Sequence, residues 1–135
     1  MKEWTFKVFI KSNGRDAFEE WIKIQGIDAE EKIRAMINLL SVTKIWDRPH
    51  FAKIHGSENI YEIRIKGKDK QYRPLGCKGP GPQIFTLLVG ASKKENKWNP
   101  PEAIKMAEER CKLVFKDQRS IDKYGARARN TKKPS

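Results

Sequence analysis

Tyr61-Glu62-Ile63-Arg64-Ile65-Lys66, then Gly67-Lys68-Asp69-Lys70, then Gln71-Tyr72-Arg73 is the stretch whose reading decides the fold. Tyr61, Ile63 and Ile65 alternate with Glu62, Arg64 and Lys66, and a period of two marks a strand with one buried face. A polar loop containing glycine and a second short run follow, so the stretch is predicted to be a β-hairpin. Folded symmetrically about residues 67–70, it pairs Lys66 with Gln71, Ile65 with Tyr72 and Arg64 with Arg73. Two guanidiniums then stand opposite one another, and like charges across a ladder weaken it. Either an anion lies between them, or Glu62 or Asp69 neutralises them, or a one-residue slip turns them to opposite faces.

Working outward, Pro74 follows the second strand and removes a ladder N–H, which places this strand at an edge or at a bulge. Cys77-Lys78-Gly79-Pro80-Gly81-Pro82 is turn-rich, and Ile84-Phe85-Thr86-Leu87-Leu88-Val89 is an apolar run expected of a central strand buried on both faces. Trp4, Phe6, Val8 and Ile10 alternate as a further strand at the N-terminus. Between them, Ser12-Asn13-Gly14 offers cap and turn chemistry ahead of a short helix carrying Ala17, Phe18, Trp21 and Ile22 and ending near Gly26. Asp28, with Glu31 three residues on, has the form of a capping box before the apolar stripe Ile33, Met36, Ile37 and Leu40. Asn99-Pro100-Pro101-Glu102 is a third helix start, and Ile104, Ala107, Cys111, Val114 and Phe115 share one face beyond it. The expectation is an α+β chain: two N-terminal helices, a mainly antiparallel sheet of about four strands formed by a three-stranded meander extended by the N-terminal strand, and a C-terminal helix.

A chain of 135 residues supports one core. Large apolar residues thin out after Asp117, so residues 1–116 are expected to form the domain and 117–135 a mobile basic tail. With no long apolar run and no signal-peptide pattern at its start, the chain reads as soluble and cytoplasmic. Cys77 and Cys111 make no CxxC, and His50 and His55 lack a nearby carboxylate cluster, so neither a metal nor another cofactor is expected. No GxSxG, HExxH, Walker-type or dinucleotide fingerprint is present; the prolines of Gly79-Pro80-Gly81-Pro82 remove the N–H groups a phosphate cradle requires.

The charge is informative because it is uneven. Of a net +12, residues 44–97 hold twelve basic against five acidic side chains and residues 116–135 hold seven against two, while the remaining segments are neutral. Such blocks favour a polyanion through counterion release. Guanidiniums suit bidentate phosphate binding, which singles out Arg64 and Arg73. Lys93 and Lys94 lie just past the central strand, Lys53 and His55 just before the hairpin, and Lys66 beside its turn; strand ends and loops are where a scaffold displays reactive groups. His55 suits proton transfer near neutral pH. Arg127 and Arg129 lie in the basic tail.

Taken in order, Phe51-Ala-Lys-Ile-His-Gly, Ile60-Tyr-Glu-Ile-Arg-Ile, Gln71-Tyr-Arg, Ile84-Phe-Thr-Leu-Leu-Val-Gly-Ala-Ser-Lys-Lys and Pro100-Pro-Glu-Ala-Ile-Lys-Met-Ala resemble the phage-derived HigB-like branch of the RelE/ParE toxin superfamily, over residues 4–115. The resemblance implies a RelE-like fold, two N-terminal helices on a twisted antiparallel sheet, and the toxin of a type II toxin-antitoxin system. It implies an endoribonuclease that cuts messenger RNA on the ribosome, inhibits translation and is held by a cognate antitoxin protein. It assigns the scissile phosphate to Arg64 and Arg73, phosphate contact or proton transfer to Lys93 and Lys94, a basic contact to Lys53, and acid–base chemistry to His55. A ParE-like gyrase poison and a noncatalytic nucleic-acid-binding protein stay open beside it, since one scaffold hosts several activities.

Overall fold

The computed structural model of the chain describes residues 2–127. Ten short strands form two sheets in place of the four strands expected. They are β1 (Thr5–Phe9), β2 (Phe51–Lys53), β3 (Tyr61–Ile63), β4 (Ile65–Lys66), β5 (Gln71–Tyr72), β6 (Leu75–Lys78), β7 (Ile84–Val89), β8 (Ser92–Lys94), β9 (Lys97–Asn99) and β10 (Ile121–Lys123). The larger sheet has the order β10-β1-β7-β6-β3-β2 and the smaller one β4-β5-β8-β9. All pairs are antiparallel except β1 with β7. The expected meander is present, but each of its strands is cut in two at the same level: at Arg64, at Arg73-Pro74 and at Gly90-Ala91. Pro74 supplies one cause, because it has no N–H for the ladder, and the β6–β7 register shifts between Leu75 and Gly76 just beyond it.

Helices α1 (Ala17–Lys23) and α2 (Ile27–Ser41) cover one face of the larger sheet, and α3 (Ala103–Lys116) covers the other. Strand alternation supplies both cores. Phe6, Val8, Phe85 and Leu87 join Phe18, Ile22, Ile33, Ile37 and Leu40 on the first side. Phe9, Leu75, Cys77 and Leu88 join Ala103, Ala107 and Val114 on the second. The run from Phe85 to Val89 is buried throughout, as a strand covered on both faces requires. Cys77, expected in a loop, is a core residue of β6. Phe115, expected on the buried stripe of α3, is 54% exposed because its neighbour Val114, 1% exposed, takes the inward position at this turn.

The caps differ from those expected. Asp16, not Ser12 or Asn13, caps α1, its Oδ1 accepting the N–H groups of Phe18 and Glu19 at 3.0 Å each. Gly26 precedes α2 with φ of 97°, a backbone state that favours glycine, so Asp28 falls inside the first turn without capping it. Arg34 of α2 then ties α1 to the residue that follows β10. It forks onto fully buried Glu19 at 2.7 and 3.1 Å and donates to the Tyr124 hydroxyl at 2.7 Å.

That last contact belongs to a segment whose expected behaviour needs correcting. The expected boundary at residue 116 is passed: Gln118–Ser120 forms a 3-10 turn and β10 pairs with β1, aligning Lys7 with Lys123 and Phe9 with Ile121. Residues 118–124 were hard to read as structure because a three-residue strand filling the free edge of β1 needs few apolar residues of its own.

Two predictions follow from this packing. A β-carbon on Gly90 would sit 2.1 Å from Trp21 Cγ and Cδ2 and 2.6 Å from its Cβ, so Gly90→Ala is expected to cost about 1–3 kcal/mol in urea unfolding, and that penalty should shrink without vanishing in a Trp21→Ala background, where the Cβ remains. Burial raises the Asp16 carboxyl from 3.8 to about 6, opposed by its two backbone N–H donors and aided by the like charge of Glu19. The folded value lies above the unfolded one, so the stabilising contribution is complete below pH 3.8 and is lost as pH rises through about 6. Stability of Asp16→Asn relative to the parent should therefore grow by about 2 kcal/mol between pH 4 and 7; parallel profiles would refute the assignment.

Candidate nucleic-acid interface

The expected register of the hairpin is observed: Ile65 faces Tyr72 and Lys66 faces Gln71. Arg64 and Arg73 come next along this ladder, at the level where the meander breaks. Their backbones turn to other partners, Arg64 N–H donating to the His50 carbonyl and Arg73 N–H to the Ala91 carbonyl, both at 2.8 Å. Their side chains converge on Glu62. Arg64 Nε donates to Glu62 Oε2 at 2.7 Å, and Arg73 Nη1 reaches Oε1 at 3.2 Å and Oε2 at 3.3 Å. Glu62 is 5% exposed, so one buried carboxylate resolves the repulsion anticipated between the arginines. It resolves only half of it, since two guanidiniums against one carboxylate leave a positive charge. Donors also remain. Arg73 Nε is buried without an acceptor, and among the described residues neither terminal nitrogen of Arg64 donates to protein.

Both arginines line a cleft of about 650 Å³ with Pro49, His50, Ile65, Lys66 and Gln71 on the sheet side and Lys32, Ala35, Met36 and Leu39 of α2 opposite. It opens along β4, an edge strand of the smaller sheet. Lys32 and Lys66 are exposed and form no ion pair among the described residues, so the cleft couples an apolar wall to four cations. Apolar walls lower the local dielectric and strengthen the pull of those cations on an anion.

The other anticipated residues are dispersed. Lys93 lies across from Gln71, in the cross-strand row Lys66-Gln71-Lys93-Trp98, with Nζ 5.1 Å from the Trp98 ring centre. It shares a sheet face with the arginine cleft without lining it. Lys94 faces Lys97 across a hairpin whose loop residues, Glu95 and Asn96, have φ of 51° and 64°. Lys53 is exposed on edge strand β2, opposite Tyr61. His55 lies in the turn beyond the far end of β2, at about 3.3 Å per residue on the order of 10 Å or more from Arg64. Arg127 donates to Asp122 Oδ2 at 2.8 Å and to the Gly14 carbonyl, which fastens the segment after β10 to the approach to α1. Arg129 lies outside the described residues.

His50 is the residue that sequence reasoning passed over. Pairing of Phe51 with Ile63 brings it opposite Arg64 and onto the cleft. The signal existed in the sequence as the shared alternation of the two strands, but the loop between them is long enough to hide their register. Among the described residues no group of three or more His, Cys, Asp or Glu is placed to hold a metal ion, and no helix is long and apolar enough to cross a membrane.

Compared with known proteins, residues 20–112 match the family described as Phage derived protein Gp49-like (DUF891). No curated protein and no solved structure matches the chain.

The arrangement around Glu62 generates a stability prediction with an electrostatic signature. Glu62→Gln leaves two arginines sharing a neutral acceptor, and is expected to cost about 3 kcal/mol, the low end for a broken buried pair because both arginines also reach solvent. Inorganic phosphate should restore more of this loss than chloride at equal ionic strength; equal responses to the two anions would show that the arginines do not form an anion site.

Proposed function

This chain belongs to the Phage derived protein Gp49-like family, and on the geometry of its cleft we propose that it is an endoribonuclease toxin of the RelE/HigB type, acting on messenger RNA at the ribosome. The observation that carries the reading is the pair Arg64 and Arg73, held side by side by one buried carboxylate with donors to spare at the mouth of a basic cleft. A scissile phosphate entering between them supplies the missing acceptors and neutralises the remaining charge.

Cleavage of RNA requires no protein nucleophile. The ribose 2′-oxygen attacks the adjacent phosphorus, the bond to the 5′-oxygen breaks, and a cyclic phosphate and a free 5′-hydroxyl result. Two proton transfers accompany this, one from the 2′-hydroxyl and one to the leaving oxygen. Fixed guanidiniums favour the transition state because negative charge grows on the phosphate oxygens they face. His50, lining the same cleft, is the better-placed group for proton transfer; in this reading His55 has no part at the phosphate. Lys66 and Lys32 draw the backbone in, and Lys93 contacts it farther along the sheet face. Leu39, exposed on the cleft wall, followed along the chain by exposed Val42 and Ile45, offers an antitoxin protein apolar surface to cover it.

Mapping RNA 5′ ends shortly after induced expression tests the reading. New cuts within translated messages are expected for the parent chain, with loss of at least 100-fold in cutting for Arg64→Ala/Arg73→Ala, about the weight of a removed transition-state donor. His50→Ala should lose cutting while retaining binding. Growth arrest with intact transcripts would favour a gyrase poison, and RNA binding without cuts a noncatalytic clamp.

A further inference from the structure

Loop residues 46–50 separate the arginine cleft from a second groove. Pro49 and His50 line the cleft, while Trp46, Asp47 and Arg48 line a groove of about 420 Å³ completed by Phe51, Ala52, Lys53, Tyr61 and Lys78. Arg48, Lys53 and Lys78 are all exposed, and among the described residues none of them forms an ion pair, although Asp47 lies in the same groove. The groove thus gathers three cations around one acidic side chain, Asp47.

Their placement is also fixed. Tyr61 and Phe51 stack with centres 5.1 Å apart, and the Lys78 ammonium lies 4.8 Å from the Tyr61 ring centre. Attraction to the ring holds this ammonium without cancelling its charge. Lys53 stands directly opposite Tyr61 on the neighbouring strand. The cleft and groove thus present cations on both sides of one short loop.

We infer that a single strand of RNA runs from the arginine cleft across residues 46–50 into this groove, where Arg48, Lys53 and Lys78 bind the phosphates flanking the scissile one. The inference rests on the reading of the cleft as an RNA site and extends it to the substrate's length and form. A single strand fits because its backbone bends freely over the loop; a duplex presents a stiff, wide rod to two narrow grooves set on either side of it. Three further phosphate contacts contribute about 0.7 each to the slope of log affinity against log salt.

The test uses the full chain and fluorescently labelled 2′-O-methyl RNA, which lacks the attacking hydroxyl and is not consumed. Against an oligonucleotide of about a dozen residues, Arg48→Gln/Lys53→Gln/Lys78→Gln should bind more weakly than the parent, with the salt slope reduced by about 2. A trinucleotide, long enough for the cleft alone, should bind both proteins equally, which also verifies that the variant is folded. Equal affinity and slope for the longer RNA would overturn the track and leave the arginine cleft intact. Failure of the parent to bind either RNA would overturn both readings. Displacement of the RNA by duplex DNA at lower concentration than by unlabelled single strand would overturn the assignment to single strands.

Discussion

Three adjacent strands that all lose their ladder at one level cannot continue as a single flat sheet. Here the level is set by Pro74, which has no N–H to give, and by Gly90, against which the Trp21 side chain presses where any β-carbon would stand. Arg64, at the break between β3 and β4, donates its N–H to the carbonyl of His50, just ahead of β2, instead of to the hairpin partner. The chain therefore passes from a large sheet clamped between helices to a small one with an open edge. At that passage the ordinary pairing of side chains is relaxed, and two arginines turn inward to one carboxylate.

Placing the arginines there has an energetic logic. On a regular ladder they would repel each other and swing into water, where rotamer freedom dissolves any fixed geometry. Beside a buried glutamate each loses that freedom to a charge-assisted bond, which fixes the direction of the donors that remain. The same buried carboxylate weakens the site's net charge, so affinity for an anion has to be recovered from Lys32, Lys66 and the wall of α2. Helix α2 is suited to both duties: Ile33, Ile37 and Leu40 hold it to the sheet, while Ala35, Met36 and Leu39 face the cleft.

The sequence made the local elements legible wherever a period was long enough to count. The stripe of α2, the buried run of β7 and the hairpin register of residues 65–72 follow directly from spacing. Interruptions were less visible. Pro74 signalled a bulge, but the matching break at Gly90-Ala91 depends on Trp21 arriving from α1, which no local pattern encodes. The same limit separates Arg64 and Arg73 from His50. The arginines were found because they flank one turn, whereas His50 reaches them through a strand pairing closed over a long loop. His55 suits proton transfer and stands just before the hairpin in sequence, yet the turn carries it away from the break.

Charge partition in the sequence also acquires a different meaning once folded. The two basic blocks look alike in composition, yet within the described part of the second one Arg119 is bound to Asp117 and Arg127 to Asp122 and the Gly14 carbonyl. Arg119 closes a local turn after α3, and Arg127 ties the segment of β10 to the loop before α1. In the block of residues 44–97 the acidic residues are too few and too far apart to do the same: Glu62 serves two arginines, and Asp47 forms no ion pair with the cations of its groove. The two excesses, +7 and +5, thus differ in their described parts: Arg119 and Arg127 are matched by acidic neighbours, whereas most cations of residues 44–97 are left exposed to a polyanion.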